Sequence, residues 1–329
     1  MTNLKVISED EVIKIMEDSW IDGIDIIKKS FIERGRGKVI LPDKISQIFD
    51  STTQNRINCM PSTLVDENVS GMKWVSVFPT NYKQNIKNVN GLTLISEIET
   101  GKPYALVAST WLTKFRTAGV AGLASKYLAK KENEIIGFIG SGEEAKMHFE
   151  IFKLLYPELR ECRVSSRTNK SCIKFVDSLK EKYEDVDFVI CNNDYEKAIR
   201  GSDIIVTAIS GQDTVLKAKW IDKANFYVHV GGLEDEYEVA FKADKIVCDE
   251  WDAVKHRGSQ TISKMYQDGL LKDEDIYAEL FEILLGKKEG RSSSDKFIYF
   301  NSVGMSYVDV LLAKYIYDNS SNFGKVLYI

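Results

Sequence analysis

The sequence predicts a two-domain α/β protein, and three features carry that expectation. Residues 135–139 are a short apolar run that breaks at Gly140-Ser141-Gly142 and continues with Ala145, Phe149 and Phe152 at helical spacing, the pattern of strand, tight turn and helix. Further short runs follow at 161–166, 187–191, 203–207, 225–230 and 245–249, without clean alternation, as strands buried on both faces of a parallel sheet require. Ahead of them, from about residue 39 to 108, the chain reads as hairpin-linked strands. The expected architecture is a Rossmann doubly wound nucleotide domain over 116–304 and a discontinuous α+β domain over 1–115 plus 305–329.

Residues 5–8 read as a strand, and Ser8-Glu-Asp-Glu11 as a capping box that opens the first helix. Ile26, Ile27 and Phe31 share one side of a second helix over 24–34, which Gly35 and Gly37 end. Strands follow at 56–60, 71–78 and 91–97, the last joined through the turn at 99–102 to a strand at 103–108, so this sheet is antiparallel or mixed. Residues 112–130 form a long helix whose small residues, among them Ala118, Gly119 and Gly122, admit the close approach of another backbone. A helix is expected over 169–183, and another over 304–318 with Val308, Leu311, Leu312 and Tyr315 on one face, placed to pack back on the first domain. In that last helix Asp309 reads as a cap or a cofactor-facing side chain. Residues 291–295 are the one stretch expected to be a mobile loop.

Composition narrows the partners. The 329 residues are 44% hydrophobic and 28% charged, ordinary for a globular protein. A net charge of −5 and a pI near 5.5, with no concentrated basic patch, exclude nucleic acid as the main partner. Cys59, Cys162, Cys172, Cys191 and Cys248 are scattered and odd in number, which points to free thiols in a reducing cytoplasm and to no zinc site. With only His148, His229 and His256, no metal is expected, and His229 reads as a core residue. No apolar stretch approaches the length of a membrane span and no signal segment opens the chain, so the expected location is cytoplasmic, without a membrane partner.

The glycine turn names a ligand class. Gly140 permits the tight turn, Gly142 lets backbone approach a pyrophosphate, Ala145 fills the helix-against-strand position, and the helix start favours phosphate. Ser141 belongs to the same cradle, and Glu143 and Glu144 serve the helix dipole and contact the cofactor. After the second strand, where an NAD-binding unit usually carries a carboxylate, stand Ser166, Arg167 and Thr168, an arrangement that favours the 2′-phosphate of NADP over NAD. The alternative is that Arg167 stacks on adenine and both cofactors are used. Thr207 and Ala208, at the end of the fourth strand, are expected to line the nicotinamide half, with Gly231 after the fifth.

Gly71-Met-Lys-Trp74, Asn90-Gly-Leu-Thr-Leu-Ile95, Thr100-Gly-Lys-Pro103, Phe115-Arg-Thr-Ala118, Ile139-Gly-Ser-Gly142 and Ser302-Val-Gly-Met305 together resemble the ornithine cyclodeaminase/μ-crystallin family, in the same order over nearly the whole chain. The resemblance implies an NAD(P)-dependent oxidoreductase acting on an amino-acid carbon–nitrogen bond, and a homodimer. Lys73 matches the lysine beside the reacting carbon. Arg116 matches the arginine that holds the substrate carboxylate, with Arg56 as a second ligand, Met60 beside the substrate and Thr117 beside the cofactor. The stretches 56–61, 81–88, 277–280 and 303–306 look closest to family members that oxidise N-(1-amino-1-carboxy-2-ethyl)glutamate and release 2,3-diaminopropionate for siderophores. Alternatives within the resemblance are a cyclic-imine reductase, an ornithine cyclodeaminase and a μ-crystallin-like binder of NADPH and a small ligand. Cyclodeaminases carry a catalytic aspartate directly after a Gly-Gly pair. Here Leu233 follows Gly231-Gly232, with Glu234 and Asp235 beyond it.

Overall fold

Residues 3–50 and 54–328 are described by the structure, a computed structural model, and divide into two units: Met1–Arg116 with Gly304–Ile329, and Thr117–Val303. In chain order the elements are β1 (Asn3–Ile7), α1 (Glu9–Met16), α2 (Trp20–Gly35), β2 (Val39–Ile40), β3 (Ile45–Asp50), β4 (Asn55–Leu64), β5 (Val69–Val77), β6 (Val89–Ser96), β7 (Pro103–Ala108) and α3 (Thr110–Leu128). They continue with β8 (Ile135–Ile139), α4 (Glu143–Leu155), β9 (Glu161–Ser165), α5 (Asn169–Asp177), β10 (Asp187–Ile190), α6 (Tyr195–Ile199), β11 (Ile204–Thr207), β12 (Phe226–His229), α7 (Tyr237–Lys242) and β13 (Lys245–Cys248). The chain closes with α8 (Trp251–Lys255), α9 (Thr261–Gln267), β14 (Ala278–Glu279), α10 (Leu280–Leu284), β15 (Ile298–Asn301), α11 (Ser306–Asp318) and β16 (Lys325–Tyr328).

In the first unit the strands run β16-β1-β7-β6-β5-β4-β2, with β3 also on β4, and only the β1–β7 pair is parallel. Side chains alternate across this sheet. One face of β4 carries Asn58, Met60, Ser62 and Leu64, all buried. Helix α11 packs on that face over β4, β5 and β6 and also against α2, where Phe31 meets Tyr307 edge to face with centroids 5.4 Å apart. Ser8 and Glu11 form the capping box of α1, and Glu11 also accepts from the Gly324 N–H at 2.8 Å, tying the entrance of β16 to the helix.

The second unit is one parallel sheet in the order β10-β9-β8-β11-β12-β15-β13-β14. Every residue of β11, β12 and β15 is buried, which explains their lack of alternation. Two expectations change. The helix over 169–183 stops at Asp177, past which the Leu179 and Lys182 N–H groups bond back three residues, to Val176 and Leu179, and break the regular ladder into turns. Residues 291–295 are not a loose loop: Arg291 Nε donates to the Leu128 carbonyl at 2.6 Å, and Asp295 accepts from Ser292 N–H and pairs with Lys245 at 2.8 Å. The five cysteines are free, all buried but the half-buried Cys59, and burial pushes the Cys162 and Cys248 thiols well up. Among the described residues no helix is long and apolar enough to cross a membrane.

Candidate active site

In the first unit, cross-strand register puts Met60, Lys73 and Thr93 side by side on β4, β5 and β6, facing α11. Lys73 is fully buried while its neighbour Trp74, on the opposite face, is 39% exposed. Its Nζ lies 2.6 Å from Asp309 Oδ2, and Asp309 Oδ1 accepts from Arg116 Nε at 3.2 Å. A buried charge is tolerated only when paired. Here one carboxylate serves two basic side chains. Arg116 spends only Nε on this contact, and its Nη1 and Nη2 make no hydrogen bond among the described residues. Gly304, at φ +79°, lies against that guanidinium, and any side chain there would collide with it. The arginine is held from behind with its forked end unengaged, the geometry that receives a carboxylate in bidentate fashion.

Thr93 Oγ1 sits 2.7 Å from Ser109 Oγ, which itself donates to the Val107 carbonyl at 3.0 Å, so the Thr93 hydrogen goes to Ser109 and its lone pairs remain for another donor. Arg56 lies on the same sheet face as Lys73 but four residues along β4 from Met60, half-buried, with Nη1 donating to the Gln54 carbonyl at 3.0 Å. Burial lowers its pKa, and it makes no bond to the trio.

In the second unit, Gly140 adopts φ +112° and donates its N–H to the Ser165 carbonyl at 2.8 Å, and a Cβ there would strike the Ala208 carbonyl. Gly142 caps α4, and a Cβ on it would meet nothing within 4 Å, so the turn is open on the side where a pyrophosphate would lie. Ser141 is half-buried, Glu143 is exposed, and Glu144 is half-buried with its carbonyl accepting from His148 Nδ1 at 2.7 Å. Burial pushes His148 down to about 4. At the end of β9, Arg167 and Thr168 are exposed and Ser166 half-buried, its Oγ 2.7 Å from Ser171 Oγ, and Arg167 makes no ion pair among the described residues. Thr117 is buried in α3. These residues fit a dinucleotide: an open glycine turn at a helix start, then hydroxyls and a cation where the adenosine ribose would rest.

Thr207 departs from its expected role. Its hydroxyl turns inward, fully buried, 2.7 Å from Tyr227 Oη and 2.7 Å from Glu234 Oε2, so it offers no side chain to a ligand. Ala208 and Gly231 remain half-buried at the two strand ends. Glu234 also accepts from Ile209 N–H at 2.6 Å and Gly231 N–H at 2.9 Å. Asp235 accepts from Thr261 Oγ1 at 2.6 Å and Tyr299 Oη at 3.3 Å, and burial raises its pKa to about 6. His229 stands in the core with Nδ1 2.6 Å from Asn301 Oδ1 and Nε2 donating to the Gly232 carbonyl at 2.6 Å.

Asp309 is neither a cap, which is Met305, nor free to face a cofactor, since it pairs with Lys73 and Arg116; Thr93 is a member of the cluster that the sequence does not single out. A signal for Asp309 existed: it is the one charged residue between Ser306 and Ala313 in a helix otherwise apolar there. Thr93 carried none, since a threonine in a strand is ordinary.

The chain matches the ornithine cyclodeaminase/mu-crystallin family over residues 5–323 and belongs to it. The N-((2S)-2-amino-2-carboxyethyl)-L-glutamate dehydrogenase of Staphylococcus aureus is 27% identical over 277 residues, 83% of this chain and 82% of that protein. The Thermococcus litoralis Delta(1)-pyrroline-2-carboxylate reductase, solved with NADH and L-proline, superposes with a TM-score of 0.91 at 27% identity, covering 98% of this chain and 99% of that one. An archaeal alanine dehydrogenase dimer with bound NAD superposes with a TM-score of 0.90 at 27% identity, with both chains fully covered.

Proposed function

We propose that this protein is an NAD(P)-dependent oxidoreductase of amino-acid carbon–nitrogen bonds, with N-(1-amino-1-carboxy-2-ethyl)glutamate as its favoured substrate. The observation that carries the reading is the buried Lys73–Asp309–Arg116 trio with the unengaged fork of Arg116. Arg116 receives the substrate α-carboxylate, and Asp309 fixes the guanidinium from behind. Lys73, beside Met60 and Thr93, sits where the α-carbon and its nitrogen would follow, and moves the proton that accompanies oxidation of CH–NH to C=N. A bound nicotinamide supplies the hydride acceptor. Water adds to the imine carbon, and the C–N bond then breaks to release 2-oxoglutarate and 2,3-diaminopropionate. Arg56, on the same sheet face, is the candidate ligand for a further carboxylate of this substrate. Glycine-turn residues 140–142 with Glu143 and Glu144 would hold the pyrophosphate, and Ser166, Arg167 and Thr168 the adenosine ribose, with exposed Arg167 favouring NADP.

Reduction of a cyclic imine is the second reading, favoured by the likeness to the reductase solved with NADH and L-proline. Cyclodeamination has less support, because both oxygens of Glu234 are committed to the protein and Asp235 is sealed in the core. The outer face of the first unit's sheet sets Ile45, Cys59, Trp74 and Leu92 in one cross-strand row, with Ile45 62% and Leu92 46% exposed, a surface suited to a homodimer. Five free thiols suit a reducing cytoplasm.

The test follows the reduced-nicotinamide absorbance with NAD and NADP in parallel. Cofactor reduction by the glutamate adduct, with 2,3-diaminopropionate appearing, is the expected outcome. Oxidation of NADPH by a cyclic imine without adduct turnover would establish the reductase instead.

A further inference from the structure

We propose that Glu234 is a positioning residue for the nicotinamide half of the bound dinucleotide, acting as a clamp between the carboxyl ends of β11 and β12. The inference rests on the nicotinamide reading above. In the sheet order, β9 and β10 lie on one side of β8 and its glycine turn, and β11 and β12 on the other. The adenosine half of a dinucleotide belongs to the β9 side of such a switch point, so the nicotinamide half belongs to the ends of β11 and β12.

Parallel strands separate beyond their last ladder bond, which here is Val230 N–H to the Thr207 carbonyl at 3.3 Å. Past it, the Glu234 carboxylate joins the two ends. Oε2 takes the Thr207 hydroxyl at 2.7 Å and the Gly231 N–H at 2.9 Å, while Oε1 takes the Ile209 N–H at 2.6 Å. The side chain is fully buried, so these are charge-assisted bonds shielded from water. The β12 loop is wrapped onto the carboxylate closely enough that a Cβ on Gly231 would collide with it and with the Ile209 carbonyl. Asp235, one residue on, makes no hydrogen bond to Thr207, Ile209 or Gly231; it accepts from Thr261 and Tyr299 and lies 3.5 Å from His229 Nε2. Two adjacent buried carboxylates thus have separable roles.

The Glu234→Gln variant turns an amide nitrogen toward a backbone N–H and so sets donor against donor. Fluorescence titration with NADH and NADPH is expected to show a dissociation constant raised by about tenfold or more. ADP-ribose and its 2′-phosphate, which lack the nicotinamide, are expected to bind within about twofold of wild type. Asp235→Asn should leave both affinities unchanged. Unchanged dinucleotide binding by Glu234→Gln, or an equal loss for ADP-ribose, overturns the clamp. If Glu234→Gln does not fold, Thr207→Val, which removes one of the three donors at constant volume, carries the same test with an expected rise of about threefold confined to the dinucleotide. Failure of the wild type to bind any nicotinamide dinucleotide would overturn the cofactor reading itself, and this inference with it.

Discussion

Each unit buries a cluster of ionisable side chains, and the two clusters differ in what they leave unused. In the second unit, both oxygens of Glu234 accept from the protein, from Thr207, Ile209 and Gly231, and both nitrogens of His229 face protein oxygens. In the first, Asp309 is divided between Lys73 and Arg116, and the forked end of Arg116 is unengaged. Burial of charge alone therefore does not mark a reaction site. A rigidly held donor with bonding directions to spare, as at the fork of Arg116, is what gains from the arrival of a ligand.

The comparison breaks most readily at Lys73. Lys73→Met is expected to lower turnover roughly 100- to 10,000-fold while cofactor affinity holds, the size of effect a proton-transfer group carries. A variant with unaltered turnover would move the protein toward the μ-crystallin-like binding role. Asp309→Ala leaves two buried cations facing each other. Its expected cost is about 3–5 kcal/mol in denaturant unfolding, and Asp309→Glu should recover part of that if pairing is the cause.

The closed cluster is tested through pH. The Asp235 carboxyl rises from 3.8 to about 6 on folding, so its contribution is fully present below about pH 4 and is lost as pH climbs through 6. His148 falls from 6.5 to about 4, so its contribution is present above about pH 6.5 and is lost as pH drops through 4. The two slopes oppose each other in the wild type. Asp235→Asn should leave a protein whose stability rises with pH across this window, and His148→Gln one whose stability falls, each by up to about 3 kcal/mol in denaturant titrations at pH 4.5 and 7.5. Parallel curves for the two variants would remove the assignment. The smallest expected effect is at the surface: Arg167→Ala should weaken NADPH binding roughly tenfold and leave NADH unchanged, read by the same fluorescence titration.

Much of the fold was legible because local pattern coincides with burial. The 135–142 stretch declares strand, turn and helix by composition alone, and the structure places Gly140 at a positive φ that a Cβ-bearing residue would resist. The helix at 169–183 is shorter than its apolar spacing, because past Asp177 three-residue bonds from Leu179 and Lys182 interrupt the four-residue ladder. Strand β3 was passed over, since Ile45, Ile48 and Phe49 are largely exposed and its pairing with β4 is not encoded in any alternation toward a core. Thr207 looked like a ligand contact from its place at a strand end, and only the fold showed its hydroxyl turned toward Glu234.

By itself the sequence determined the class of fold, the glycine turn and the absence of a carboxylate after β9, and it singled out Lys73 and Arg116 as candidates, because these are properties of short segments or of matched motifs. Tertiary structure alone decided that Asp309, separated from Arg116 by 193 positions, closes onto both cations, and that Glu234 ties two strand ends together. Those pairings depend on which elements pack against one another. Hydrophobic patterning specifies that an element is buried but not which partner's charge it will meet.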